Sequence, residues 1–277
     1  VSQPTAWPTI VENTGLMLLF GGVAPKNSQL AKNGVTAHDT QDWLRQARDA
    51  GVEFVQVSPI KDDMAEELSA DWLPARPNSD VAIMLGLAHT LLIEGLHDAD
   101  FLASHCVGFK QFSAYLTGEN DGIAKDADWA AALSGLDAGT LRGLARRMAA
   151  KRTMISVSYS VQRSDHGEQP CWSAIALAAM LGQIGLPGGG FAIGYGSNGL
   201  VGQPSPRIPQ PGLPIGANAT GAFIPVARVV DMLLNPGGAH DFNGEARTYP
   251  DIRMVYWCGG NPFHKQQDIN RFLQAWQ

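Results

Sequence analysis

The residues with the most chemical potential stand just beyond runs of apolar sequence. Lys26 follows Gly21-Gly22, which ends the run Leu16-Met17-Leu18-Leu19-Phe20. Arg163 closes Ser158-Tyr159-Ser160-Val161-Gln162, which follows Thr153-Met154-Ile155-Ser156-Val157. Ser58-Pro59 follows Glu53-Phe54-Val55-Gln56-Val57, and Gly259-Gly260-Asn261-Pro262 follows Met254-Val255-Tyr256-Trp257-Cys258. An ammonium and a guanidinium among small, turn-forming residues at strand ends suit a ligand bound outside the carboxyl ends of a parallel sheet. Asp62-Asp63 reads as a solvated loop or helix start rather than a catalytic carboxylate pair.

Other chemistries are poorly supplied. Of the seven histidines, none pairs with another at metal-ligand spacing. His89, His97 and His105 fall in or beside helical stretches and read as structural, whereas His166 and His264 stand near strand ends. Cys106, Cys171 and Cys258 are widely spaced with no CxxC, which argues against a zinc or iron–sulfur site of this chain's own. There is no GxSxG elbow and no Ser/His/Asp set. Nor is there a GxGxxG after a strand or a GxxxxGK[ST], so an ordinary NAD or ATP site is not indicated.

The net charge of −6 comes without a basic stripe, which excludes a general nucleic-acid binder. Arg142, Arg146 and Arg147 lie at helical spacing on a solvated face. No run reaches the roughly 18 apolar residues of a membrane span; residues 175–186 are interrupted by Gly182, Gln183 and Gly185. Val1-Ser2-Gln3-Pro4 carries neither an initiator Met nor a leader, and Ala275-Trp276-Gln277 falls within an amphipathic helix pattern. The expectation is an internal fragment of a longer protein.

The elements that must position these residues alternate. The four apolar runs predict buried strands. Helices are predicted from Thr40 as N-cap to Gly51, from Asp80 along Ile83, Met84, Leu87 and Leu91, from Asp137 through Leu141, Leu144 and Met148, and over residues 172–184. Strands alternating with helices predict an α/β fold with parallel sheets, and ligands of such sheets bind outside the strands' carboxyl ends. Residues 186–211, rich in Gly, Pro, Ser and Asn (Gly194-Tyr195-Gly196-Ser197-Asn198-Gly199 among them), read as a functional or mobile stretch.

Several segments taken in order carry a resemblance. They are Thr5-Ala6-Trp7-Pro8 with Val11-Glu12-Asn13-Thr14; Pro77-Asn78-Ser79-Asp80 running to Gly86; His166-Gly167-Glu168-Gln169; Ala179-Met180-Leu181-Gly182-Gln183 running to Phe191; Ile224-Pro225-Val226-Ala227-Arg228; and Gly259-Gly260-Asn261-Pro262-Phe263 with Gln267-Asp268 and Asn270-Arg271. The set resembles the dimethyl sulfoxide reductase family of molybdopterin oxidoreductases, and within it the biotin sulfoxide and trimethylamine N-oxide reductase-like members. The resemblance spans nearly all of the chain.

That resemblance implies two Rossmann-like lobes, one of residues 1–29 with 166–277 and one of 30–165 inserted in it. It implies molybdenum held by two molybdopterin guanine dinucleotides. Lys26, Asn27, Val57, Ser58, Asn78, Ser79, Asp80, Tyr159, Ser160, Arg163, Asn261 and Lys265 match cofactor-binding positions, with Asp80 the partner of the guanine edge. A buried Asp suits guanine, which presents adjacent N1–H and N2–H donors. The family's metal-ligating serine matches a segment before Val1, so no catalytic or metal-ligating residue is assigned here and the isolated piece is expected to be inactive. Two departures stand out: Lys265 occupies a position usually held by His, and Ser58 one where many members have Asp, which puts a ribose contact from position 58 in doubt. The implied reaction is reduction of an S-oxide or N-oxide, such as biotin sulfoxide or dimethyl sulfoxide. Its electrons would come from a donor protein or reduced carrier in a bacterial cytoplasm or periplasm, the cytoplasm favoured. Alternatives are a non-catalytic nucleotide-binding or assembly protein of the same fold, and another molybdoenzyme such as a formate dehydrogenase or nitrate reductase.

Overall fold

Three of the four apolar runs form strands with the expected bounds in the computed structural model: β1 (Leu16–Phe20), β2 (Glu53–Val57) and a later strand at Thr153–Val157. The structure describes residues 4–29, 37–197, 199–204, 212, 214, 216–218, 221–266 and 268–277. Residues 1–3, Asn198, residues 205–211 and Gln267, all named above, lie outside them. The chain divides into two compact units, Val1–Arg207 and Ile208–Gln277.

In the first unit, α1 (Trp7–Asn13) precedes β1, and α2 (Pro25–Ser28) and α3 (Thr40–Asp49) lie between β1 and β2. Then come β3 (Asp71–Leu73), α4 (Asp80–Ile93), α5 (Ala99–His105), α6 (Phe109–Leu116), α7 (Ala127–Ser134), α8 (Ala138–Ala150), β4 (Thr153–Val157), α9 (Glu168–Met180) and β5 (Gly190–Ile193). The five strands make one parallel sheet in the order β3-β2-β1-β4-β5. Every residue of β1 is buried. Leu16, Leu18 and Phe20 join one apolar cluster with helices α4, α7, α8 and α9, while Met17 and Leu19 join another with Trp7, Leu44 and Tyr195. Both faces are covered, so the strands are apolar throughout rather than alternating.

α4 begins at Asp80 as expected, and its residues 82–88 are buried all round, because it packs against α7, α8 and α9 as well as the sheet side. α8 follows its N-cap Asp137, whose carboxylate accepts from the Thr140 N–H. Other boundaries differ. Asp39, not Thr40, is the N-cap of α3, and α9 both starts and ends four residues before the expected 172–184. The sequence reading passed over β3, too short to show a period, and β5, hidden in the glycine-rich stretch.

β1, from residues 1–29, is hydrogen-bonded on both sides to strands from 30–165, and β5 completes the same sheet. One parallel sheet occurs among the described residues.

The second unit holds α10 (Val229–Leu234), an antiparallel hairpin of β6 (Ala239–Phe242) and β7 (Glu245–Thr248), α11 (Pro262–Lys265) and α12 (Ile269–Trp276). The fourth apolar run, 254–258, is not a strand. No described residue pairs with it, and Met254 and Tyr256 are 82% and 85% exposed. A β run needs a neighbour for its backbone groups, and none of the described residues supplies one. Arg271 bonds Asp231 at 2.7 Å, tying α12 to α10 and holding the Asp231 carboxyl below its ordinary range. Phe272 is buried among Trp257, Phe263 and Trp276.

Leu18, at the centre of β1 opposite Val55 and Ile155, makes the sharpest packing test. Leu18→Ala should cost about 3 kcal/mol in urea unfolding, the transfer and cavity terms together; a cost under about 1 kcal/mol would contradict a two-faced core.

Candidate functional site

Parallel pairing brings the carboxyl ends of the strands to one edge. The strand order reverses between β1 and β4, so the segments leaving these two strands diverge and leave a gap. A crevice of about 850 Å³ opens there.

The loops around it are fixed by backbone bonds that extend the ladder past the strands. Gly21 N–H donates to Val57 O at 2.9 Å, Ser158 N–H to Phe20 O at 2.9 Å, and Gly194 N–H to Val157 O at 3.0 Å. Two glycines are required by this closeness. A Cβ on Gly21 would lie 2.3 Å from Ser158 Oγ, and one on Gly22 2.3 Å from the Asp63 carbonyl oxygen, each at a positive φ.

Nine of the expected residues line this one crevice. Lys26 and Asn27 reach it from α2, Val57 and Ser58 from the end of β2, Asn78 and Asp80 from the start of α4, and Tyr159, Ser160 and Arg163 from the segment after β4. Ser79 does not line it. That residue is buried, is the N-cap of α4, and donates its hydroxyl to Arg76 O at 2.6 Å. Asn261 and Lys265 belong to the second unit. There Asn261 caps α11 by accepting from Phe263 N–H at 3.1 Å, and Lys265 lies in that helix. His166 is exposed beside Asp165 and does not line the crevice, while His264 is part of α11. Among the described residues no three His, Cys, Asp or Glu side chains gather as a metal site.

The crevice is charged in a particular way. Lys26 and Arg163 are exposed and neither forms an ion pair among the described residues. Asp80 is the first residue of α4, and burial pushes its carboxyl above the ordinary range, its own amide partly opposing the shift. It accepts from no other group among the described residues. A half-buried carboxylate that accepts from no other residue, facing a cavity with two cations, has acceptor capacity to spare.

Sequence reasoning missed Asp63, Ser164 and Gly196, which also line the crevice. Asp63 was visible as half of a carboxylate pair, but nothing in its spacing separated it from Asp62, which does not line the crevice. Gly196 was one of many glycines in its stretch.

The molybdopterin oxidoreductase family pattern matches residues 2–277. Biotin sulfoxide reductase from Cereibacter sphaeroides is 48% identical over 279 residues, covering 99% of this chain and 37% of that protein. The dimethyl sulfoxide/trimethylamine N-oxide reductase of Rhodobacter capsulatus is 44% identical over 286 residues, covering 99% and 34%. Trimethylamine-N-oxide reductase 1 of Escherichia coli K12 is 41% identical over 296 residues, again covering 99% and 34%. This chain therefore spans about a third of the length of the curated relatives it matches. Among solved structures, acetylene hydratase from Pelobacter acetylenicus shares the fold, with a TM-score of 0.51 and 24% identity over 62% of this chain and 22% of that one.

The raised Asp80 carboxyl has a consequence for stability. An acid whose folded pKa lies above its unfolded value binds extra protons in the folded state. Its contribution is fully present below the unfolded pKa and is lost as pH rises through the folded one. Asp80→Asn should therefore raise the unfolding midpoint at pH 7 in the absence of ligand, and the gain should vanish below about pH 4, the ordinary carboxylate range. Thermal unfolding across that pH range checks this. A variant less stable than the parent at pH 7 would show that the helix dipole outweighs burial.

Proposed function

Because the chain belongs to the molybdopterin oxidoreductase family, we propose that its crevice holds a guanosine nucleotide of a molybdenum bis(molybdopterin guanine dinucleotide), in a full-length enzyme that reduces S-oxides or N-oxides. A molybdenum–molybdopterin cofactor is what the family implies; the guanine form and the substrate class are our reading. The names of the relatives, biotin sulfoxide reductase and dimethyl sulfoxide/trimethylamine N-oxide reductase, support the substrate class.

The observation that carries the nucleotide assignment is the unpartnered, half-buried Asp80 carboxylate at the head of α4, inside a crevice at the sheet's reversal point. The residues present fit such a group. Asp80 offers two oxygens to the paired N1–H and N2–H donors of guanine, an arrangement adenine does not match. Lys26 and Arg163 offer unpaired positive charge to a pyrophosphate. Gly21 and Gly22 keep the floor free of side chains. Tyr159, whose ring lies where a Cβ on Gly194 would be 2.8 Å away, gives the wall a flat apolar surface.

When bound, the cofactor would supply two-electron removal of an oxygen atom at molybdenum. The role of this chain is to hold and orient. Asp80 fixes the base, the two cations neutralise phosphate, and the packed strands keep these groups in register. We assign no catalytic residue to the chain. Asn261 and Lys265 remain proposed contacts on the second unit, with Lys265 a phosphate partner where the family usually has His. Electrons would come from a donor protein or reduced carrier in a bacterial cell, in the cytoplasm or periplasm. No helix among the described residues is long and apolar enough to cross a membrane.

Purified full-length protein should contain molybdenum and, after acid release, guanine nucleotide. Asp80→Ala should lower the content of both by about tenfold, the loss of hydrogen bonds to a charged acceptor. Asp62→Ala, in an exposed turn outside the crevice, should change neither. Stoichiometric NAD or flavin without molybdenum would overturn the assignment.

A further inference from the structure

In dinucleotide-binding βαβ units, a carboxylate near the end of the second strand accepts from the ribose hydroxyls. Here the strand-end residue after β2 is Ser58, which has no charge. The turn that follows compensates. Ser58 is 2% exposed and its hydroxyl donates to Asp63 Oδ2 at 2.6 Å, while accepting the Ile60 N–H at 3.2 Å. The single hydroxyl proton is thereby committed to Asp63, and the carboxylate is drawn back to the strand end.

The turn cannot easily take another position. Gly22 leaves room for Asp63, since a Cβ there would lie 2.3 Å from its carbonyl oxygen and 2.9 Å from its Cβ. Val23 N–H donates to Met64 Sδ at 3.3 Å, pinning the next residue to the same glycine loop. Asp63 and Ser58 both line the crevice, together with Asp80. The Asp63 carboxylate accepts from Ser58 alone among the described residues, so its other oxygen is available to a ligand.

We propose that Asp63 is the residue that binds the vicinal hydroxyls of the nucleotide's ribose, with Ser58 as its positioning residue. The proposal rests on the nucleotide reading of the crevice and adds the sugar to it. It divides the recognition between two carboxylates: Asp80 selects the base, and Asp63 selects a ribose over a sugar lacking hydroxyls. It also explains the division of the Asp62-Asp63 pair, since only the second residue faces the crevice.

The test is equilibrium binding of GDP and of 2′,3′-dideoxy-GDP to the full-length protein prepared without cofactor. The parent should bind GDP about tenfold more tightly than the dideoxy analogue, the value of a hydrogen bond to a charged acceptor. Asp63→Ala should bring the two affinities together by weakening GDP alone. Asp63→Asn, which keeps the shape of the turn, should lower the ratio, and Ser58→Ala should lower it by freeing the carboxylate. Asp62→Asn should leave the ratio unchanged. If the Asp63 variants keep the tenfold preference, or the parent shows none, the ribose assignment is wrong while the nucleotide crevice stands. If the parent binds neither nucleotide, or if Asp80→Ala binds GDP as the parent does, the underlying reading fails instead.

Discussion

Everything at the crevice depends on β1 being held in parallel between β2 and β4. That pairing is possible because all five residues of Leu16–Phe20 are apolar and both faces of the sheet are covered. Once the three strands are in register, their carboxyl ends emerge side by side, and the reversal of strand order between β1 and β4 forces the outgoing segments apart. The crevice is a consequence of packing, and its lining is whatever the sequence places immediately after each strand.

What the sequence places there is a division of labour by charge and size. Glycines follow β1, where backbone from three strands converges and a side chain would collide. Serines follow β2 and β4: the Ser58 hydroxyl accepts a loop amide and directs Asp63, and the Ser158 and Ser160 hydroxyls bond each other. The cations Lys26 and Arg163 stand further out, exposed to solvent. Asp80 differs from them. It lies at the head of the buried helix α4, and burial already opposes its charge in the absence of a partner. A group carried at a cost to the folded state is where function is to be sought.

Much of this was legible beforehand. Three strands were read to the residue, since a fully buried parallel strand leaves an unbroken apolar run. The strand-end rule then gathered Lys26, Ser58 and Arg163 at a common edge. What escaped notice has physical reasons. Asp71–Leu73 and Gly190–Ile193 are too short, or too glycine-flanked, to show a period. The run 254–258 looks like a strand because β propensity is local, whereas pairing needs a neighbour. Ser79 was matched to a cofactor-binding position through the resemblance, whereas its hydroxyl donates to the Arg76 carbonyl. Asp63 escaped because only the fold shows that the Ser58 hydroxyl draws it to the strand end. That strands as distant in sequence as Leu16–Phe20 and Thr153–Val157 share one sheet is a matter of pairing, which no local pattern reveals.

The account's central claim is that a guanine base sits against Asp80 at the sheet's reversal point. A crystal structure of the full-length protein with its cofactor tests this directly. The account predicts the base's N1–H and N2–H edge within hydrogen-bonding distance of the Asp80 carboxylate. A nucleotide bound elsewhere, with Asp80 facing only water, would contradict it.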